Sequence, residues 1–376
     1  MRILRVAQKV YPAVKGGGPY HVHAMSRDQA TMGHDVTVLT IRTNPELPSI
    51  EERDGYTVIR YDPTCTVLGN DVSLDLAQYL ADPPDFDVIH AHSHLYFCSN
   101  LAAVRRKLTG DVPLVLTNHG LHSQNVSKNL FKMYLRTVGL WTFNQADLVF
   151  CYTSEGKERA EKLGITSEIE IVSNGIDPGR FTPSGSKHDA ISESAFSVVS
   201  PIRLVPGKRP FDVVAAIERV SKQYPGVELY LCGDGPLREE LESYIAKRNL
   251  TDVVHLLGMV PYDEMPNVYR SADLVVLPSE AEGGSPRALL EGMATETPFI
   301  SPNLPQIATQ LKELGGTTDV GDVEGLAAEI IRFIENNELR TSVGNRSRSL
   351  VMEEYNWEKT AKETTDATAR LVERVG

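Results

Sequence analysis

Short apolar runs alternate with longer helical segments along the chain, and this alternation restricts the fold more than any other feature. Strand-like runs occur at residues 2–6, 35–40, 56–61, 88–92, 113–118, 148–152 and 169–172, and helical segments such as residues 20–32 and 155–163 separate them. Strands that alternate with helices are typical of βαβ units. The pattern therefore predicts an α/β fold, with a parallel sheet covered by helices on both faces.

The alternation restarts after a polar break at residues 184–194, which is typical of a surface loop or linker. A second series of strand-like runs follows at residues 196–201, 227–232, 253–257, 274–277, 298–301 and 316–319. A chain of 376 residues is long enough for two cores. We therefore expect two Rossmann-like parallel-sheet domains facing a central cleft, one formed by residues 1–178 and the other by residues 179–358.

The segment from residue 272 to residue 301 is the most informative for function. A strand at residues 274–277 leads into a loop rich in Glu and Gly, and a helix follows that opens near Arg287 and carries Glu291. Ligands of α/β proteins bind where a loop leaves the carboxyl end of a strand, and helix N-termini favour phosphate. Gly283 and Gly284 let the backbone approach a ligand closely. The segment predicts a site for a phosphorylated, hydroxyl-rich ligand.

Composition excludes several other classes of function. The net charge of −12 argues against a general nucleic-acid binder, which needs clustered Lys and Arg. The four cysteines are widely spaced and form no CxxC pair, so metal or disulfide use is the less favoured interpretation. The sequence has no uninterrupted apolar stretch of about 18 residues. We expect a cytoplasmic protein that is at most peripheral on a membrane.

Short motifs in a fixed order along the chain support a resemblance to a known family. Besides the 272–301 segment, they are Gly16-Gly17-Gly18, the GHDVTVL run at residues 33–39, TNHG at 117–120, SNGID at 173–177, Arg203 with Lys208, and GDGP at 233–236. Together they resemble the retaining GT-B glycosyltransferases of glycosyltransferase family 4. The resemblance implies a GT-B fold, a nucleotide diphosphate-sugar donor, a hexose-type sugar, and a glycan, lipid-linked or small-molecule acceptor. It also implies that a C-terminal helix, residues 359–376, crosses back to the first domain.

Sugar transfer from such a donor needs stabilisation of the departing diphosphate, either by a metal held on carboxylates or by fixed cations and dipoles. The chain offers no convincing Asp-x-Asp pair, but it places Arg203 and Lys208 just beyond a strand. Arg provides a fork for two phosphate oxygens, and Lys provides a mobile point charge. We therefore expect a metal-independent enzyme that needs no cofactor.

Two carboxylates are candidates for contacts to the donor. The resemblance assigns Glu291 to the ribose hydroxyls and an earlier Glu to the sugar. The family places that earlier Glu eight positions before the second, a position that Gly283 occupies here, whereas Glu282 precedes Glu291 by nine positions. A one-residue expansion of the loop at Gly283-Gly284 would restore Glu282 as the sugar-contacting residue, and Glu280 is the alternative.

The remaining predicted site residues lie mostly in strand-to-helix loops. His119 matches a family position and is assigned to the sugar or reaction centre as a hydrogen-bond donor, not as a committed general base. The residues further assigned to donor binding are Gly17, Gly18, Asn174, Gly233, Gly235, Gly283, Gly284 and Ser285. The HAHSH run at residues 90–94 places three histidines at alternate positions, which would share one strand face and could suggest a metal. We discount zinc, and the resemblance implies that His92 is a structural residue that lines the cleft.

Two other enzyme classes and one surface property stay open. A nucleotide-sugar 2-epimerase has the same fold, but we identify no additional acid/base carboxylates for it. A dinucleotide-dependent dehydrogenase lacks support, because Gly16-Gly17-Gly18 does not have the GxGxxG spacing and the second strand lacks an acidic residue at its tip. Residues 127–143 mix basic and aromatic side chains. We favour core packing with a solvated basic edge over a peripheral membrane contact for this segment.

Overall fold

The computed structural model describes residues 1–67, 69–121 and 128–375. The chain divides into two compact units. The first comprises Met1–Ser173 together with the C-terminal residues from Thr360, and the second comprises Asn174–Lys359. Both are α/β units built on a parallel sheet, as the alternation of strands and helices predicts.

The first unit contains a sheet of eight strands in the order β10-β9-β8-β7-β1-β2-β4-β3, and β5 pairs with β6 separately. The strands are β1 (Arg2–Val6), β2 (Asp35–Ile41), β3 (Ile50–Arg53), β4 (Tyr56–Tyr61), β5 (Cys65–Val67), β6 (Asn70–Val72), β7 (Val88–His92), β8 (Leu114–Thr117), β9 (Leu148–Cys151) and β10 (Glu168–Ile171). The helices are α1 (Gly17–Thr31), α2 (Leu74–Ala81), α3 (Phe97–Thr109), α4 (Lys128–Tyr134), α5 (Leu140–Phe143) and α6 (Ser154–Leu163), with a π-helical turn at Leu135–Gly139.

Strand β3 is an addition to the predicted pattern and the antiparallel member of this sheet. It pairs with β4 across Asp54-Gly55, whose φ angles are 47° and 84°. Two-residue hairpins favour Asp-Gly because both central residues need positive φ. The Asp-Gly dipeptide is therefore the sequence signal for this hairpin.

The second unit contains six parallel strands in the order β13-β12-β11-β14-β15-β16. They are β11 (Phe196–Ser200), β12 (Val227–Cys232), β13 (Val254–Gly258), β14 (Leu274–Val276), β15 (Phe299–Pro302) and β16 (Gly316–Thr318). The helices are α7 (Pro210–Ser221), α8 (Arg238–Lys247), α9 (Met265–Ser271), α10 (Arg287–Ala294), α11 (Thr309–Leu314), α12 (Val323–Glu335) and α13 (Asn337–Glu354), and the last helix of the chain is α14 (Trp357–Val375). The strand order reverses between β11 and β14, and open α/β sheets bind ligands at such a switch point.

Each unit is stabilised by its own apolar core. In the first unit, Ile3 and Leu4 belong to different buried clusters because alternate residues of a strand point to opposite faces. Ala367 and Leu371 of α14 join the cluster around Ile3, so this helix covers one face of the first sheet. A third cluster fills the second unit around Val198, Leu274 and Phe299.

The segment 127–143 is only partly buried. Ser127 lies outside the described residues. From there on, Phe131 and Phe143 are buried, whereas Met133 is 61% exposed and Trp141 is 38% exposed. The predicted core packing is therefore confirmed for Phe131 and Phe143 and wrong for Trp141, and Met133 is a further exposed apolar side chain. No helix among the described residues is both long and apolar enough to cross a membrane.

Candidate functional site

Two loops at the switch point of the second unit carry six of the predicted site residues, including Arg203, Lys208 and Glu282. One follows β11 and contains Arg203 and a short 3-10 turn, Pro206–Lys208; the other follows β14 and leads to α10. The amide of Glu280 donates to the carbonyl of Gly207 at 3.0 Å, which joins the loops. Parallel pairing of β11 with β14 brings these loops together, although they are distant in the chain.

Lys208 and Glu282 form an ion pair between the two loops. Their side chains are only 15% and 12% exposed, so the pair is largely shielded from water. The structure therefore brings the predicted phosphate cation into contact with the predicted sugar carboxylate, while Arg203 lies exposed on the same loop as Lys208. Because the ammonium of Lys208 and the carboxylate of Glu282 are in contact, they could bind two neighbouring groups of the same ligand.

Two serine hydroxyls of the loop after β14 are buried without a hydrogen-bond partner among the described residues. They are Oγ of Ser279 and Oγ of Ser285, and both residues are less than a tenth exposed. Buried polar atoms are nearly always hydrogen-bonded, so these two hydroxyls are candidates for contact with a ligand. Pro286 precedes α10 and gives the helix no side-chain cap. The loop thus presents unpaired polar atoms next to the positive end of a helix.

Gly233 and Gly235 hold the loop that carries Arg203. A Cβ on Gly233 would lie 2.0 Å from the carbonyl oxygen of Ile202, and one on Gly235 would lie 2.4 Å from that of Leu204. Only glycine permits these backbone contacts. The sequence predicts a donor-binding role for both glycines, and the structure shows them packed against the backbone of the Arg203 loop.

Glu291 is buried in the second turn of α10 and is only 5% exposed. The hydroxyls of Tyr262 and Tyr269 each donate to one of its carboxylate oxygens at 2.9 Å, and Arg287 lies 3.8 Å away. Burial raises the pKa of Glu291, and Arg287 and the two hydroxyls partly offset this effect. A ribose would therefore have to share these oxygens or replace a tyrosine. The two tyrosines were missed because no sequence spacing relates them to Glu291.

Asn174 and Gly175 begin the second unit beside α10. The carbonyl of Gly175 accepts from Nη1 of Arg287 at 2.8 Å, which ties this segment to the helix. Asn174 is 9% exposed, and its Oδ1 has no hydrogen-bond partner in the described part of the chain. Oδ1 of Asn174 is therefore, like Oγ of Ser279 and Oγ of Ser285, a buried polar atom that a ligand could contact.

His119 follows β8 in the first unit and lies in a chain of hydrogen bonds. Its Nε2 is 3.0 Å from Nδ1 of His92, and its Nδ1 is 2.8 Å from the hydroxyl of Tyr152. The ring of His21, from α1, lies edge-on at 5.4 Å. Both ring nitrogens of His119 are thus engaged within the protein. Donation from His119 to a sugar, as predicted, would require one of these bonds to be exchanged.

The HAHSH run does not place its three histidines together. His90 and His92 stack at 4.6 Å, as the strand period predicts, but Ser93 has φ of 66° and ends the strand geometry. His94 therefore packs against Phe143 at 4.6 Å, so the prediction of one shared face is wrong for His94. The described residues contain no group of three or more His, Cys, Asp or Glu side chains that could hold a metal.

The turn after β1 contains the predicted Gly-rich loop. Gly16 has φ of 136° and precedes α1, which begins at Gly17 and has no acidic residue in its first turn. Gly17 and Gly18 thus lie in the N-terminal turn of a helix of 15 residues. This end of α1 lies beside the switch point between β1 and β7.

We expect the free energy of unfolding to decrease as the pH is lowered from about 7 to about 5. Burial lowers the pKa of His119 to about 4 and those of His90 and His92 well below the ordinary value. Unfolded histidines have a pKa of about 6.5, so below it the unfolded chain binds protons that the folded chain does not. Each histidine contributes up to about 1.4 kcal/mol per pH unit. Urea unfolding at both pH values measures the effect.

A matched variant separates the contribution of the histidines to this pH dependence from that of the carboxylates, which also titrate in acid. His119→Gln removes one of the three titrations, so its stability should decline less steeply over the same pH interval than that of the wild type. Equal stability of the wild type at the two pH values would contradict the expectation.

Comparison with known proteins assigns the chain to a family. The family model described as Glycosyltransferase Family 4 matches residues 15–180, and the model of Glycosyl transferases group 1 matches residues 186–350. Glycogen synthase from Mycobacterium tuberculosis is 29% identical over 396 residues, covering 97% of this chain and 93% of that protein. N-acetyl-alpha-D-glucosaminyl L-malate synthase from Bacillus anthracis is 26% identical over 378 residues, covering 95% and 94%.

Solved structures with the same fold cover nearly the whole chain. Sucrose-phosphate synthase from Thermosynechococcus elongatus matches with a TM-score of 0.81 at 20% identity over 98% of both chains. HepE from Anabaena, in complex with UDP-glucose, matches with a TM-score of 0.78 at 18% identity over 98% of this chain and 100% of that one. The fold is therefore the GT-B fold, and the two family models identify the chain as a glycosyltransferase. Within that class, the chain belongs to glycosyltransferase family 4, also described as glycosyl transferases group 1.

Proposed function

We propose that the enzyme transfers a hexose-type sugar from a nucleotide diphosphate-sugar to a glycan, lipid-linked or small-molecule acceptor, with retention of the anomeric configuration. The observation that carries the proposal is the Lys208–Glu282 ion pair at the β11/β14 switch point. A cation for the diphosphate and a carboxylate for the sugar hydroxyls meet there. A nucleotide-sugar joins a diphosphate to a sugar, so one such ligand could contact both side chains.

The ion pair supports an exchange when the donor binds. Lys208 would turn from Glu282 to a phosphate oxygen, and Glu282 would accept from a hydroxyl of the sugar. Arg203 and the N-terminus of α10 would add to the positive potential at the diphosphate. The buried hydroxyls of Ser279 and Ser285 would gain a partner. The contacts of Lys208, Arg203 and the α10 N-terminus would strengthen as negative charge develops on the leaving group. The contact of Glu282 would strengthen as positive charge develops on the sugar.

The two relatives guide the choice of substrates for a test. Their names specify glycogen and an L-malate conjugate as products, and the HepE structure contains UDP-glucose. We would screen UDP-glucose, UDP-N-acetylglucosamine, ADP-glucose and GDP-mannose for thermal stabilisation, and then measure release of the nucleoside diphosphate with glycogen, L-malate or a lipid-linked sugar. Stabilisation and release by one donor would support the proposal. No stabilisation and no release with any of them would count against it.

We expect activity to survive chelation of divalent metals. Side-chain cations and a helix N-terminus would neutralise the diphosphate, so no metal would be needed for this step. The measurement is turnover before and after dialysis against EDTA, with and without added magnesium or manganese. An enzyme inactivated by EDTA and restored by either ion would contradict the proposed metal independence.

A further inference from the structure

We infer that Arg5 is a positioning residue, which determines the nitrogen that carries the proton in His92 and in His119. Arg5 is fully buried in β1, and its Nη1 lies 2.8 Å from Nε2 of His92 and 3.2 Å from Nδ1 of His90. Register pairing of β1 with β7 places Arg5 directly opposite His90. A guanidinium has donors and no acceptor. The two imidazole nitrogens that face it must therefore accept.

The direction of this first bond fixes the direction of the next ones. Because Nε2 of His92 accepts, the proton of the neutral ring lies on Nδ1, which is 3.0 Å from Nε2 of His119. His119 therefore accepts at Nε2 and carries its proton on Nδ1, which donates to the hydroxyl oxygen of Tyr152 at 2.8 Å. Each hydrogen bond from Arg5 to Tyr152 thus runs in one direction. The structure makes Tyr152 an acceptor from His119.

The surroundings keep these rings neutral. The groups that face them are Arg5, His21, His90 and Tyr152, and the described residues place no carboxylate in an ion pair with Arg5. Burial, with the charge of Arg5 as a further cause, holds the pKa of His92 well below its ordinary value. A neutral imidazole has one donor and one acceptor, and so it transmits the direction set by Arg5.

A second set of contacts clamps the guanidinium. Nη2 of Arg5 donates to Oε1 of Gln29 on α1, and Nε2 of Gln29 donates to Oγ1 of Thr365 on α14 at 3.0 Å. Burying a cation without a carboxylate partner costs free energy. An apolar residue would fill this position in a strand with less cost, so the guanidinium indicates a role other than stability.

The consequence for the reaction rests on the proposed function. Since Tyr152 accepts from His119, its own proton is directed to another acceptor, and the carboxyl ends of β8 and β9 are where a parallel sheet binds its ligand. A hydroxyl oxygen of the sugar or of the acceptor, once bound, would be one acceptor for this proton. Without Arg5, the hydrogen bonds between His92, His119 and Tyr152 can reverse direction. Tyr152 would then donate its proton to His119 and could no longer donate it to the ligand.

Nitrogen NMR of labelled imidazoles in the whole protein at neutral pH tests the assignment without any ligand. We expect His92 and His119 to carry the proton on Nδ1 in the wild type and in Arg5→Lys, which keeps a cationic donor, and to shift toward Nε2 in Arg5→Met. Arg60→Met is the matched control, because Arg60 is a buried arginine of the same sheet paired with Glu51 at 2.6 Å. It should leave both tautomers unchanged. Two results would overturn the inference: His119 that carries its proton on Nε2 in the wild type, or a His119 tautomer that is the same in Arg5→Met as in the wild type.

A double-mutant cycle on turnover, with the best donor of the screen above, tests the link to the reaction. Arg5→Met and Tyr152→Phe should each lower turnover about tenfold, the worth of one neutral hydrogen bond. The double variant should be no slower than either single one, because both act through the same hydroxyl. Losses that multiply would show a merely structural role for Arg5 and overturn the inference. If the wild type shows the expected tautomers but transfers no sugar, the proposed function is rejected and the assignment of Arg5 is upheld.

Discussion

Lys208→Ala should lower turnover by roughly 30- to 1000-fold, equivalent to about 2–4 kcal/mol in the activation barrier. Lys208 is the cation of the loop after β11 that is already shielded from water, where a charge interacts more strongly with a developing anion. Arg203→Ala should act in the same direction. Steady-state kinetics at saturating donor measure the effect.

Folding of the Lys208 variant needs its own control, because the substitution leaves Glu282 without its lysine. Thermal unfolding of each variant shows whether the second unit is intact, and Lys208→Met provides a second substitution that keeps the packing of the side chain. Lys222→Ala is the matched surface control, since Lys222 forms an exposed ion pair with Glu218 in the same unit at 3.6 Å. A folded Lys208→Ala enzyme with the turnover of the wild type would remove Lys208 from the site.

Glu282→Ala and Glu291→Ala should separate sugar binding from nucleotide binding. The contact of Glu282 would exist only when the sugar is present, so the variant should bind the bare nucleoside diphosphate as tightly as the wild type, or more tightly because Lys208 is released from its ion pair. Transfer should nevertheless fall by at least tenfold, since the contact matters most as positive charge develops on the sugar. Calorimetric titration with the diphosphate and with the intact donor measures both affinities.

Glu291→Ala should weaken binding of both ligands, because the ribose belongs to both. The carboxylate is buried between two tyrosine hydroxyls, so Glu291→Gln, which keeps one acceptor oxygen, is the variant to use if the alanine variant does not fold. Glu280→Ala serves as the control within the same loop and should resemble the wild type. Equal losses for the bare diphosphate in the Glu282 and Glu291 variants would exclude Glu282 as the sugar-contacting residue, and Glu280 would then become the candidate.

The sequence predicts the strands well because hydrophobic periodicity depends on local residues alone. Every run in both predicted series corresponds to a strand of the structure. The Lys208–Glu282 ion pair was beyond such reasoning, since its partners are 74 residues apart and meet only because β14 pairs with β11. The family resemblance, with a one-residue expansion of the loop, makes Glu282 a candidate, but it cannot identify the partner of Glu282.

Arg5 shows a different limit of sequence reasoning. Arginine is rarely buried, and in the run RILRV it gives no sign of lying inside the sheet. Its burial depends on the acceptors His90 and His92, which β7 brings alongside. Tyr152 was likewise interpreted only as the end of an apolar strand. These residues become candidates only when the order of the strands is known.

The proposed reaction cleaves a nucleotide diphosphate-sugar at its anomeric bond and delivers the sugar with retention. Proton NMR of a reaction that contains wild-type enzyme, an α-linked nucleotide-sugar chosen by the screen and its acceptor follows both products at once. We expect the nucleoside diphosphate and an α-linked product to accumulate together at the same rate. A β-linked product would contradict retention, and a folded enzyme that releases no diphosphate from any donor of the screen would contradict the proposed activity itself.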